Sequence, residues 1–322
     1  MSTKRKLKDK LREIARLCAA GDLDKARDLL GLLQNDPNIR ALGQLTSLGI
    51  PRQLQSALLK LARAENDHLS SIGYQYHLVP PPEILRASTH FTSGERTAIA
   101  KANRQSIPHT IHQIWIGAKP PPMGIEAWQN HAALHGYEHK LWQEDDLETM
   151  GYVNHPLFID MLNAGDLPGT VDVARYQILR DFGGVYLDCD WYPARADLSF
   201  HDFLPMIGIT AMAEEKPRNT GKGALLLANS LIAAPPMHPI FPRLLSALET
   251  VSEKLPGAPA WWMSGPLMFT LMCREGAMTL ADASFVAGEL PQNTSLADVE
   301  QWCKRSQALD QGLLLSWKSW IW

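Results

Sequence analysis

Two aspartates, Asp188 and Asp190, flank one cysteine at the end of the apolar run "VYLDCD". Side chains on a strand alternate between faces, so residues two apart share one. In extended geometry the two carboxylates point the same way, while Val185 and Leu187 bury earlier on the strand. Neighbouring carboxylates repel each other unless a cation stands between or beyond them. A cluster of carboxylate oxygens suits a hard ion, Mg2+ or Mn2+, and such an ion held by few protein ligands completes its shell with water and phosphate oxygens. A nucleotide diphosphate matches that chemistry. The plain alternative is two solvated aspartates at a strand end. The pair Gly183–Gly184 and the apolar lead-in favour the metal reading.

Asp172 and Arg175 lie three apart on the segment leading into that strand, so they are neighbours on one helix face. They read either as a structural ion pair or as two groups facing the same cleft. In the second case Arg175 holds a phosphate or sugar hydroxyl through its planar fork, and Asp172 accepts hydrogen bonds from sugar hydroxyls. Trp115 closes "HQIWIG". It reads as core or as a stacking platform for a nucleobase. His109 and His112 fit no metal-ligand pattern and read as structural. The end of the chain, "GLLLSWKSWIW", carries Trp317, Trp320 and Trp322, which a loose tail would expose. The expectation is a tail that folds back over the domain, either packing on the core or closing a site.

The elements that must position these residues follow from periodicity. Residues 4–71 repeat apolar positions at helical spacing, with restarts after Gly21 and Pro51, and imply a small bundle over 1–72. A linker and helix occupy 73–105, with "VPPPE" as the breaker. From residue 106 to 322, strands alternate with helices. "HTIHQIWIG", "YEHKLWQ", "VYLDCD", "MIGITAMA" and "ALLLANSLIA" read as strands, and "TVDVARYQILRDFGG" as an amphipathic helix with a glycine stop. Such alternation implies a mainly parallel sheet in a layered α/β domain, with ligands beyond the carboxyl ends of its strands.

The totals narrow the field. The chain has 322 residues, 45% hydrophobic and 20% charged, with a net charge of −3. That excludes a disordered or fibrous chain and offers no global basic field for nucleic acid. Lys4, Arg5, Lys6, Lys8, Lys10 and Arg12 form a local basic cluster, either a solvated helix face or a peripheral contact with an anionic membrane. The four cysteines form no CxxC pair and suggest a reduced compartment without disulfides. No stretch resembles a membrane span or a secretory leader. The expected setting is the bacterial cytoplasm, or a host cell reached without a leader of that kind.

Four blocks, "IPHTIHQIWIG", "DVARYQILRDFGGVYLDCDWYP", "ANSLIAAPPMHPIF" and "SGPLMF", resemble a family of sugar-transferring proteins with a DXD motif. That family is typified by the yeast initiating α-1,6-mannosyltransferase, with bacterial capsule and lipopolysaccharide relatives and, more distantly, the large clostridial glucosylating toxins. The resemblance implies a GT-A type nucleotide-sugar-binding domain, a Rossmann-like mixed sheet flanked by helices. It also implies a Mn2+ or Mg2+ cofactor, a UDP-sugar donor in preference to GDP-mannose, and retention of anomeric configuration. The acceptor would be a saccharide or a protein hydroxyl, on a bacterial glycan or a host protein. Carried over by position, Asp190 is the direct metal ligand and Asp188 contacts ribose or sugar. Asp172 and Arg175 contact the donor sugar, Trp115 stacks on the base beside Ile114, and Asn229 lines the donor site. Ser316, Ser319 and Trp320 belong to the closing tail. Histidine, common in that family near the tail's "SW" element, is missing from "LLLSWKSW". The competing expectation is a catalytically weak module that binds a nucleotide sugar or a partner.

Overall fold

A computed structural model describes residues 3–46, 49–80, 82–214 and 226–319. The described residues fall into two compact units that part between Pro82 and Glu83, within the proline-rich stretch.

The first unit is helical. Helices Thr3–Ala20, Leu23–Gln34, Arg52–Ala64 and His68–Leu78 follow the apolar repeat. Leu7 and Ile14 of the first helix, Leu30 and Leu33 of the second, and Leu54 and Leu61 of the third share one buried cluster. Short amphipathic helices gain their stability from this mutual burial rather than from propensity. Asp22 and Pro51 stand at the N-cap positions before the second and third helices. The fourth helix runs on past residue 72, to Leu78. Lys4, Arg5, Lys8 and Arg12 line one shallow depression on the first helix, and Arg12 pairs with Asp9 at 2.9 Å.

The second unit is built on a sheet. Its strands are β1 (Thr110–Ile114), β2 (Glu138–Trp142), β3 (Gly184–Leu187), β4 (Trp191–Pro193), β5 (Thr210–Ala213), β6 (Leu227–Ala234), β7 (Thr279–Ala281), β8 (Val286–Leu290) and β9 (Leu314–Trp317). Six of them form one sheet in the order β2-β1-β3-β6-β5-β7. The pairs β1–β2, β1–β3 and β5–β7 are parallel, whereas β6 runs antiparallel to both β3 and β5. The sheet is therefore mixed rather than mainly parallel. β6 enters beside β3 in the reverse direction, which no local pattern in "ALLLANSLIA" specifies. A small second sheet, β4-β9-β8, gathers the end of the chain. Trp317, 3% exposed, packs there against Tyr192, so the described part of the tail folds back and buries that tryptophan. Among the described residues no helix is long and apolar enough to cross a membrane.

Helix Leu167–Phe182 aims the chemistry. Asp166 caps its start, accepting from the Gly169 N–H, and Pro168 sits in its first turn, where a missing N–H costs nothing. The helix ends on Gly183 and Gly184, both at positive φ, +63° and +92°. A Cβ on Gly184 would stand 2.6 Å from the Thr110 carbonyl, and one on Gly183 would stand 2.5 Å from the Pro236 nitrogen. The glycine pair therefore lets the chain turn from helix into a strand wedged between β1 and β6.

Candidate active site

β3 ends at Leu187, and Asp188, Cys189 and Asp190 form a turn beyond it, closed by the Trp191 N–H donating to the Asp188 carbonyl at 3.2 Å. This corrects the extended geometry expected for "LDCD". The carboxylates converge because the chain reverses, not because a strand alternates. Cys189, between them, is buried among Trp115 and Ile125, and its Sγ donates to the Ile114 carbonyl at 3.2 Å. Burying the thiol fixes the turn from below. The Asp188 N–H, donating to the Ser230 carbonyl at 2.9 Å, anchors it to β6.

Asp188 and Asp190 both line a cavity of about 460 Å3 beyond the carboxyl ends of β1 and β3. Ile114, Trp115, Arg175 and Asn229 line the same cavity. Trp115 is 5% exposed, with its indole N–H donating to the Lys119 carbonyl at 2.7 Å. It is thus a core residue that also forms part of the cavity wall. A second cavity, about 400 Å3, opens past Asp190 and is bounded by Met212, Val286 and Ser316. Ser230, Glu214 and Lys318 border both cavities. Ser316 therefore belongs to the second cavity. Ser319, half-buried, borders neither of them and donates its N–H to the Trp317 carbonyl at 3.0 Å. Trp320 and Trp322 lie outside the described residues.

Beneath the first cavity Arg175 ties the aspartates together. Its Nη2 stands 3.0 Å from Asp172 Oδ1 and 3.0 Å from Asp188 Oδ1. Its Nη1 donates to the Asn229 carbonyl, and its guanidinium lies 4.5 Å over the Tyr186 ring. Asp172 also accepts from Asn229 Nδ2 at 2.7 Å and from Ser264 Oγ at 2.8 Å. Tyr176 closes the network, its hydroxyl donating to the Ser264 carbonyl at 2.8 Å and accepting from Asn229 Nδ2 at 3.0 Å. Tyr186 donates its hydroxyl to Asp188 Oδ1 at 2.8 Å. Both readings of the Asp172–Arg175 pair thus hold in part: it is a buried ion pair, and Arg175 reaches the cavity while Asp172, 7% exposed, supports it from behind.

Ser264, Tyr176, Tyr186 and Lys318 are the site residues that spacing did not single out. Tyr186 had a local signal, since it lies two positions before Asp188, a spacing that shares one face in extended geometry. Ser264 opens the block "SGPLMF", but nothing there linked it to Asp172, 92 residues away in sequence.

Burial acts on both Asp172 and Asp190. Burial pushes the Asp172 carboxyl up to about 6, and Arg175 opposes that rise. Burial and then the neighbouring Asp188 push Asp190 up to about 7. Burial works against the Arg175 charge, yet Asp188, Tyr186 and Asp172 together raise its proton affinity, so it stays cationic. Asp190 Oδ1 is fully buried with no hydrogen-bond partner among the described residues. Two converging carboxylates, one with an orphaned buried oxygen, fit a divalent cation. Among the described residues no third His, Cys, Asp or Glu joins them. Such an ion would take its remaining oxygens from water and phosphate.

No family profile matches the chain. A mannosyl phosphorylinositol ceramide synthase of Saccharomyces cerevisiae is 24% identical over 187 residues, 57% of this chain and 46% of that protein. The chain is similar to glycosyltransferases. An inositol phosphoceramide mannosyltransferase of Schizosaccharomyces pombe is 28% identical over 199 residues, 60% of this chain and 51% of that protein. The chain thus spans about half the length of the curated relatives it matches. Among solved structures, one titled PaToxG glycosyltransferase covers 61% of this chain and 77% of its own, at 16% identity and a TM-score of 0.42.

Proposed function

We propose that the second unit is a metal-assisted glycosyltransferase domain that moves a sugar from a nucleotide diphosphate donor to a hydroxyl acceptor. One observation carries the reading: Asp188 and Asp190 turn into one cavity, and Asp190 keeps a buried oxygen without a partner. The similarity to sugar-transferring relatives supports it.

Asp190 and Asp188 would hold Mg2+ or Mn2+. The bound ion supplies Lewis-acid neutralisation of the charge that grows on the departing diphosphate. Arg175 fixes the Asp188 carboxylate, with Tyr186 holding the same oxygen, so the ligand geometry is set before the donor arrives. Asp172, Asn229 and Ser264 fix Arg175 in turn. Trp115 and Ile114 offer an apolar wall for the base, and the second cavity offers room for an acceptor on the far side of Asp190. In the transfer the bond between the anomeric carbon and the diphosphate oxygen breaks and a bond to the acceptor oxygen forms. The acceptor proton leaves to the diphosphate. Retention follows if the acceptor attacks from the face the diphosphate leaves, and no protein nucleophile is assigned.

A UDP-sugar is the favoured donor, while the relatives, named for mannosyl transfer, make GDP-mannose the necessary comparison. The test offers UDP-glucose, UDP-N-acetylglucosamine, UDP-galactose and GDP-mannose to the purified chain, with Mn2+ or with chelator, and reads free nucleotide. Metal-dependent release from one donor is expected. Tight metal-dependent binding of a donor with no release, even with glycan and protein acceptors supplied, would leave a binding module instead.

A further inference from the structure

Resting on the donor reading of the first cavity, we infer that Lys318 is the cation that receives the diphosphate, and that it pairs with Asp190 only until the metal and the diphosphate arrive. Among the described residues lining that cavity the cations are Arg175 and Lys318, against the carboxylates Asp188, Asp190 and Glu214. Arg175 is committed, with one guanidinium nitrogen shared between Asp172 and Asp188 and another on the Asn229 carbonyl. It is 3% exposed and cannot turn away without stranding a buried carboxylate. Lys318 differs on each count. Its Nζ stands 3.9 Å from Asp190 Oδ2, at the outer limit of an ion pair, and its side chain is 66% exposed. A long, exposed side chain in a loose pair can move several ångströms without breaking a packed contact.

The backbone places this lysine at the metal turn. β9 pairs with β4 so that Ser316 lies opposite Trp191, and the Trp317 N–H donates to the Asp190 carbonyl at 2.7 Å. Lys318 follows directly, at the border of both cavities. Strand pairing therefore locks its Cα to the residue that would ligate the metal, while the side chain stays free to reach either the carboxylate or a phosphate beside it.

The two partners of Lys318 give its loss opposite signs. With the donor absent, the ammonium competes with a metal for Asp190. With a diphosphate present, it adds a charge-assisted hydrogen bond to phosphate. Lys318→Met should therefore bind Mn2+ alone more tightly, by roughly two- to fivefold for removal of one exposed pair. The same variant should bind pyrophosphate, UDP and GDP in the presence of Mn2+ about tenfold or more weakly. Lys318→Arg should retain most of the diphosphate affinity. The measurement is calorimetric titration of the full chain with Mn2+ alone, and with each of those three diphosphates at saturating Mn2+. A structural role for the lysine would lower both affinities together, and that result overturns the inference, as does unchanged diphosphate binding. A folded wild-type chain that binds none of the three with Mn2+ overturns the donor reading itself, and this inference with it.

Discussion

Two acidic positions 18 residues apart, Asp172 and Asp190, are treated in opposite ways. Asp172 is buried and has both oxygens occupied, by Arg175 and Asn229 on one and Ser264 on the other. Asp190 has one oxygen without a partner and the other facing an exposed lysine. Asp188 stands between them, held by Arg175 and Tyr186 on one oxygen. A saturated carboxylate has nothing left to offer a ligand. It can only position its neighbours. An unsaturated one raises the free energy of the folded chain until something cationic meets it. The contrast makes Asp190 the better placed of the two to take a cation, as proposed above, although both are aspartates with raised proton affinity.

The sharpest break of that contrast is a pair of substitutions. Asp190→Asn should lower metal-dependent turnover on the order of 10^3-fold, since it removes an electrostatic group made for the transition state. It should leave the melting temperature unchanged or raise it, because a buried repulsive charge disappears. Asp172→Asn should instead lower the melting temperature, with Arg175 left under-compensated. If Asp190→Asn melts well below wild type, the two regions are not different in kind.

Next in size is Arg175→Met. It strands Asp172 and frees Asp188, a loss of about 3–5 kcal/mol by analogy with other buried pairs broken on one side. Thermal or urea unfolding checks it. Stability near wild type would mean that the Asp172 network stands without its cation. Smaller again is Ser264→Ala, which removes one hydrogen bond to a buried carboxylate and should cost about 1–3 kcal/mol. Its effect on turnover should act through Arg175 and Asp188, so donor affinity should fall less than the rate. An equal fall in both would place Ser264 against the donor rather than behind it.

Much of this was legible and some of it was not, for physical reasons that differ by residue. The spacing of Asp172 and Arg175 was readable because helix periodicity is local. The glycine pair was readable as a helix stop, and its second duty became visible only against Thr110 and Pro236. The convergence of Asp188 and Asp190 was anticipated by the wrong route, since whether "DCD" continues a strand or turns depends on Cys189 finding the Ile114 carbonyl 75 residues away. Ser264 and Asn229 meet Asp172 across 92 and 57 residues, and nothing in either neighbourhood announces a partner. β8 escaped notice because its residues do not alternate, being half-buried except for the exposed Glu289, so it lacks the period-two signal of a one-sided strand.

His112 is a third kind of buried polar group, partnered like Asp172 but uncharged. Its Nε2 stands 3.0 Å from the Gly183 carbonyl, and its Nδ1 accepts from the Trp142 indole N–H at 3.2 Å. That pattern requires the proton on Nε2 and a bare Nδ1. Burial lowers its affinity for a second proton, bringing its pKa to about 4 from 6.5. The folded value lies below the unfolded one, so the unfolded chain binds more protons between them. The stability this histidine contributes is present in full above pH 6.5, declines as pH falls toward 4, and declines no further below that. His131 and His238, also brought to about 4 by burial, act in the same direction. Urea unfolding at pH 7.5 and 4.5 should show the loss, and His112→Gln should reduce the difference while lowering stability at both. Because protonated His112 sets an Nδ1–H against the Trp142 donor, acid should disturb β1 and the strand β3 paired with it before it affects the first unit. Amide exchange at Val185 and Leu187 rising ahead of Leu30 and Leu33 would bear that out, and the reverse order would place the acid-sensitive group elsewhere.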